Sequence, residues 1–360
     1  MKSRTYKDDL RASPGEIGLL AIDESEERER LSETHLYPLQ FKPIFQYRLW
    51  GGRRLADLLA APLPGDGPIG EAWVLSDRDD HSSLVAGGPL KGQTIAQLLE
   101  HFREEILGRL AKRFRRFPLL LKFLDVREML SVQVHPSDAQ TNLLLAGETG
   151  KTEAWVVLEA GAKSRINAGL KPGTSADKLR RALKNKTIAD DLLFFTPKPG
   201  DGVFIPAGTV HSLGDGVVVF EVQENSDVTF RLYDWDHIDA KTGRPRPLQV
   251  DHALASINFA EGASGLVTPV VEAATPVERE RLFQCEHFWL WRLRGHSPFT
   301  VGAAGVPRVL VCIEGAGQVD HRGATYAVGK GDVLMLPAVL GACAFRPSGE
   351  VNLLEIGIPE

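Results

Sequence analysis

Gln133, His135, Glu153 and His211 are the residues of this chain whose types and spacing could hold a metal ion. Successive side chains of a strand point to opposite faces, so Gln133 and His135, two apart in LSVQVHP, project from the same side. Glu153 opens the apolar run EAWVVLEA and His211 follows the run VFIP, so each falls at a strand end, where the interior of a barrel meets its loops. Two imidazoles, one carboxylate and one amide oxygen make a mixed nitrogen and oxygen set. It suits a single Zn2+, tolerates Mn2+, Fe2+ or Co2+, and leaves positions open for water or substrate. A lone histidine on a strand is more often a packed or surface residue than a ligand. The company of Glu153 and the spacing Gly200-x5-Pro206-x-Gly208-x2-His211 favour ligation here. His81, His101, His237, His252, His287, His296 and His321 have no such partners in spacing and are read as ordinary loop or surface residues.

The elements that must position these side chains are short apolar runs broken by Gly and Pro: EAWVLS, SSLVAGGPL, FPLLLKFLD, LSVQVHP, EAWVVLEA and GVFIPAG. They read as strands joined by turns. Helical periodicity is plainest over residues 94–114 and over 175–193, where a Ser caps the start and Lys and Arg follow an acidic first turn. An internal repeat carries the architecture. GDGVFIPAGTVH, from Gly200 to His211, aligns with GDVLMLPAVLGA, from Gly331 to Ala342, and each copy sets a Gly six residues before a Pro with an apolar strand between. The expectation is a mainly β chain of two barrels with helical insertions: a charged extension over 1–35, a metal-binding catalytic barrel over 36–248 and a second barrel over 249–360. The second places Ala342 where the first has His211 and has no counterpart of the Gln133/His135 pair, so it is expected to bind no metal.

Composition narrows the function classes. The 360 residues are 43% hydrophobic and 25% charged, which is ordinary for globular domains, and the length calls for at least two of them. A net charge of -5 provides no basic field for nucleic acid or for an anionic membrane, so any phosphate must be bound locally. The three cysteines, Cys285, Cys312 and Cys343, are widely spaced and form neither a disulfide framework nor a thiolate zinc site. The N-terminus carries charges where a signal peptide needs an apolar stretch, and no apolar run approaches the roughly 20 residues of a membrane span. A cytoplasmic location is expected.

Together, LSVQVHPSD, GKTEAWVVLEA, IPAGTVHSLG and ENSDVTFRLYDWD resemble the type I mannose-6-phosphate isomerases, in particular their short bacterial branch. LWGGRRL, IGEAWVLS and LKGQTIAQLL extend the resemblance from about residue 36 to the C-terminus. It implies a cupin-type jelly-roll fold, zinc as the usual metal, and ligands at Gln133, His135, Glu153 and His211, the set already reached from spacing. It also implies a functional arginine at Arg231, lysines near the substrate at Lys122 and Lys151, a substrate-side Ser131, and acid/base carboxylates at Glu221 and Asp227. Longer family members carry a histidine just before the lysine and a proline after it; Gly150 and Thr152 flank Lys151 here, so a mechanism needing that histidine does not transfer.

The implied reaction interconverts mannose 6-phosphate and fructose 6-phosphate through an enediol, with the metal polarising the carbonyl. Glu221, Asp227 or a Lys151 with depressed pKa could serve as base, given burial or a charged neighbour. Arg231 suits an oxyanion because a guanidinium fork binds one in fixed geometry; its alternative is pairing with Asp234 or Asp236. Lys122, Lys151 and the Arg53/Arg54 pair are candidate phosphate cations. Rival readings are another sugar-phosphate isomerase or a dioxygenase on the same scaffold, and a sugar-binding regulator without turnover. The expected partner is a small sugar phosphate, as monomer or homodimer.

Overall fold

The computed structural model describes residues 35–144, 147–260 and 264–360. Apart from His35, the extension expected over 1–35 lies outside them. The described chain is mainly β, as expected. Four larger sheets account for nearly all its strands.

The six-stranded sheet runs in the order Gly202–Ile205, Glu153–Glu159, Val217–Glu224, Leu119–Val126, Ile44–Gly52, Ile69–Leu75. Five shorter strands, Leu192–Phe195, Arg165–Leu170, His211–Gly214, Val132–Val134 and Phe230–Tyr233, form a second sheet. Alternation explains how the two pack. Trp50, Leu124, Val126, Trp155, Val157, Val217 and Val219 of the first sheet meet Ile166, Ala168 and Leu213 of the second in one buried cluster. The intervening residues of the short sheet, Val132, Val134, Phe230 and Leu232, turn the other way and are covered by the helices Ala176–Lys184 and Val250–Ser256 through Leu179, Ala253 and Leu254.

The remaining sheets, of seven and four strands, belong mostly to the C-terminal part. Strand Leu39–Gln40 is an exception, since it pairs with Val333–Leu336, Leu39 opposite Met335. The run SSLVAGGPL is mostly irregular, contributing only Ser82 of the two-residue strand His81–Ser82 and isolated bridges at Leu84 and Val85.

The helix expected over 94–114 is Ile95–Leu107 with a 3-10 turn after it, opened by a Thr94/Gln97 capping box. That over 175–193 is shorter than its periodicity suggested. Ser175 caps it as expected, but it ends at Lys184, and Lys186 takes φ +57°, a conformation that cannot continue a right-handed helix. Within the described residues no helix is long and apolar enough to cross a membrane.

Candidate active site

Along the inner face of the six-stranded sheet, the residues pointing into the sandwich change from apolar to charged at one end. Val126 and Leu124 give way to Lys122, Val217 and Val219 to Glu221, Val157 and Trp155 to Glu153. The same alternation brings Gln133, His135 and His211 inward from the facing sheet, with His211 directly across from Gln133 and Arg231 on Gln133's other side. The site is therefore the polar end of a hydrophobic interior.

The donor atoms of His135, Glu153 and His211 lie within 4.8 Å of one another. Both imidazoles are buried, and their Nε2 atoms stand 3.4 Å and 3.3 Å from the two oxygens of Glu153. His135 Nδ1 is 2.8 Å from the carbonyl of Val228 and His211 Nδ1 is 2.9 Å from that of Thr209. Each Nδ1 thus carries the proton it donates, and each Nε2 keeps a lone pair facing the carboxylate. Burial pushes both rings down, His135 to about 3, so they are neutral as metal ligands must be. Burial opposes the charge of Glu153, but the Lys151 ammonium beside it outweighs burial and holds the carboxyl well below its ordinary range. Gln133 receives a hydrogen bond from Ser131 Oγ at its Oε1 (3.1 Å), and its Nε2 lies 3.2 Å from His211 Nε2. A half-turn of the amide would present oxygen instead. The donor set fits a divalent metal.

Above it lies a cavity of about 450 Å3 whose walls include Lys122, Gln133, Lys151, Glu153, Glu221, Asp227 and Arg231. A wider depression of about 790 Å3, beside Asp77 and the helix Ile95–Leu107, contains none of the expected residues. Lys151 Nζ donates to Glu153 Oε2 at 2.6 Å and stands 3.1 Å from His135 Nε2. Burial pushes its pKa down, but Glu153, Glu221 and Asp227 outweigh it and the ammonium is favoured. This is the reverse of the depression a base at Lys151 requires. Glu221 moves the other way, raised by burial and by Glu153 despite Lys122 and Lys151. Its Oε2 accepts from Trp155 Nε1 at 2.8 Å, and its Oε1 is 3.5 Å from Lys122 Nζ.

Arg231 is not paired with either aspartate considered for it. Arg246 takes Asp234 through two hydrogen bonds, and Lys186 takes Asp236. Arg231 Nε is buried with no hydrogen-bond partner among the described residues, and Arg246 and Arg48 crowd it electrostatically. The Arg53/Arg54 pair is not brought to the cavity. Arg53 binds the carbonyl of Gly67, while Arg54 is tied to Asp125 at 2.6 Å and to the carbonyls of Gly216 and Val217.

The cavity also contains residues that spacing did not single out. Arg48 lies two before Trp50 and forks onto Glu71 at 2.9 and 3.0 Å. The strand alternation that turns Trp50 inward could have found it. Arg246 sits in an irregular segment with no local pattern to expose it.

Residues 38–153 match the family model described as phosphomannose isomerase type I, catalytic domain. The mannose-6-phosphate isomerase ManA of Bacillus subtilis is 36% identical over 315 residues, spanning 84% of this chain and 94% of that one. A mannose-6-phosphate isomerase of Streptococcus mutans is 32% identical over 318 residues, 87% and 96% of the two chains. The crystal structure of the Bacillus subtilis mannose 6-phosphate isomerase superposes with a TM-score of 0.82 at 30% identity, covering 90% of this chain and 100% of that one. The fold expected from the resemblance is the fold found, and on these matches the chain belongs to the type I phosphomannose isomerase family.

Proposed function

We propose that this chain interconverts D-mannose 6-phosphate and D-fructose 6-phosphate, with Zn2+ held by Gln133, His135, Glu153 and His211. The observation that carries the reading is the His135, Glu153 and His211 cluster, whose Glu153 lines one cavity with Gln133, Lys151, Glu221 and Arg231. The bound metal would supply Lewis-acid polarisation of the sugar carbonyl. The catalytic part spans 36–248, the part from 249 to 360 contributes no ligand, and the enzyme works in the cytoplasm.

Glu221, which lines the cavity with Lys151 and Glu153, is assigned the carbon-bound proton; burial and Glu153 raise its pKa above the ordinary carboxylate value, the direction a general base needs. Asp227 lines the same wall and is the second carboxylate candidate for the proton that shuttles between the sugar oxygens. Lys151, as an ammonium, donates to the oxygen that gains charge, and Lys122 orients Glu221. With the Gln133 amide turned to present its oxygen, Ser131 Oγ would accept from Gln133 Nε2 and hold that orientation. Arg231, with an unused buried donor and two more guanidiniums near it, draws the anionic end of the substrate to its side of the cavity.

The test is to incubate purified protein of measured metal content with mannose 6-phosphate and follow fructose 6-phosphate in a coupled assay, before and after chelation and zinc restoration. Turnover that vanishes and returns supports the reading. Absence of turnover with stoichiometric metal rejects it.

A further inference from the structure

Lys151 reaches both Glu153 and His135, yet it leaves the backbone just outside the strand that begins at Glu153. Something must hold that segment. Three consecutive backbone N–H groups there each have a fixed acceptor. Gly150 N–H donates to Asp138 Oδ1 at 2.6 Å, Lys151 N–H to the carbonyl of Pro136 at 3.0 Å, and Thr152 N–H to Glu224 Oε1 at 2.7 Å. Glu224 closes a ring by donating its own N–H to the carbonyl of Thr152 at 3.1 Å. Its other oxygen faces His287 Nδ1 at 3.3 Å, so a histidine read from the sequence as an ordinary surface residue, in the C-terminal part of the chain, backs this carboxylate.

We propose that Glu224, backed by His287, is a positioning residue that aims Lys151 at the site, and so couples the C-terminal part of the chain to the reaction. The inference rests on the assignment of Lys151 to the active site. Burial of Glu224 has a purpose in this reading. At 6% exposure its carboxylate meets little competition from water for the Thr152 amide. Burial, with Asp138 and Glu286, raises its pKa to about 7 against the pull of the Thr152 N–H, and His287 faces it directly. Lys151 contacts Glu153 and His135, and outer-shell hydrogen bonds around a metal site typically change activity by about 10- to 100-fold when removed.

The experiment compares Glu224→Ala, Glu224→Gln and His287→Ala with the wild type. Steady-state turnover of mannose 6-phosphate is measured together with the rate at which an amine-acylating reagent labels Lys151 in the folded protein, read by peptide mass spectrometry. Lys122, equally buried, is the internal control. The expected result for Glu224→Ala is a kcat lowered about 10- to 100-fold with KM within about threefold, and Lys151 labelling at least about tenfold faster while Lys122 is unchanged. Glu224→Gln keeps an acceptor for Thr152 and retains most of both properties, and His287→Ala falls between. Unchanged Lys151 labelling in Glu224→Ala, or equal gains at Lys151 and Lys122, overturns the proposal. If the wild type proves inactive toward mannose 6-phosphate, the labelling comparison still decides whether Glu224 positions Lys151.

Discussion

Gly200 and Gly331 both take φ +90° and open the same turn in two parts of the molecule. Gly200 N–H donates to the carbonyl of Val157 and Gly331 N–H to that of Cys312, each at 2.8 Å. Asp201 accepts from the Lys198 amide, and Asp332 from the Gly329 amide, each at 2.7 Å. The strands Gly202–Ile205 and Val333–Leu336 follow, and each copy then begins a further strand at the aligned position, His211 in one and Ala342 in the other. Register extends the correspondence. Gln133 lies across from His211, and Gly302 across from Ala342. Glu153 pairs with Ile205, and Arg308 with Leu336. Glu221 and Glu355 occupy matching places, opposite Trp155 and Leu310.

The turn is thus common property and the chemistry is not. Three of the four proposed ligand positions in the first copy read Gly, Arg and Ala in the second. The retained carboxylate, Glu355, is consumed structurally: its Oε1 accepts from the Gly302 amide at 2.9 Å, and Arg279 and Arg308 approach at 3.8 and 4.0 Å. Glu221 is buried and hydrogen-bonded too, to Trp155, but it also lines the cavity, where a substrate could exchange a proton with it.

His211→Ala makes the first copy like the second and is expected to have the largest effect. Turnover should drop by more than about a thousandfold, because a lost ligand removes the electrostatic stabilisation of the developing oxyanion. Thermal unfolding should still show a folded protein. Glu221→Gln should lower kcat by roughly 10² to 10⁴, the usual share of a general base, while Glu355→Gln at the matching position should leave kcat within about twofold. Comparable losses in both would break the comparison.

Glu71 yields a smaller effect, on stability. Burial opposes its charge, but Arg48 and Lys122 outweigh it and the carboxyl falls to about 2. A depressed carboxyl contributes stability that is complete above its unfolded value near 4.5 and disappears as pH falls through 2. Glu71→Gln should therefore cost roughly 3 kcal/mol at pH 7 in denaturant unfolding, and its difference from wild type should shrink steadily below about pH 4.5. The smallest effect belongs to Ala342→His. One imidazole opposite Gly302, with Arg308 in place of a carboxylate, should recruit no additional metal, as elemental analysis would show.

What the sequence made legible was local. Alternation put Gln133 and His135 on one face, and the Gly-x5-Pro repeat located His211, because both signals lie within a few residues of the side chain they place. The helix after Ser175 was overextended, since its apolar and charged periodicity continues past Lys184. The segment beyond is set by longer-range contacts instead, such as Lys178 Nζ on Asp191 at 2.6 Å. Arg246 in the cavity wall, the Nε of Arg231 without a partner among the described residues, and the clasp of Glu224 on Thr152 depend on groups brought together only by folding, and no nearby residue announces them.

The most direct test of a single metal-dependent site in the first part of the chain is zinc content and mannose 6-phosphate turnover measured side by side. Chelated and zinc-restored wild type, His211→Ala and Glu355→Gln would be compared. One zinc per chain and full turnover are expected in the wild type and in Glu355→Gln, with both lost in His211→Ala. Turnover persisting in His211→Ala, or a second zinc that depends on Glu355, would contradict a single site.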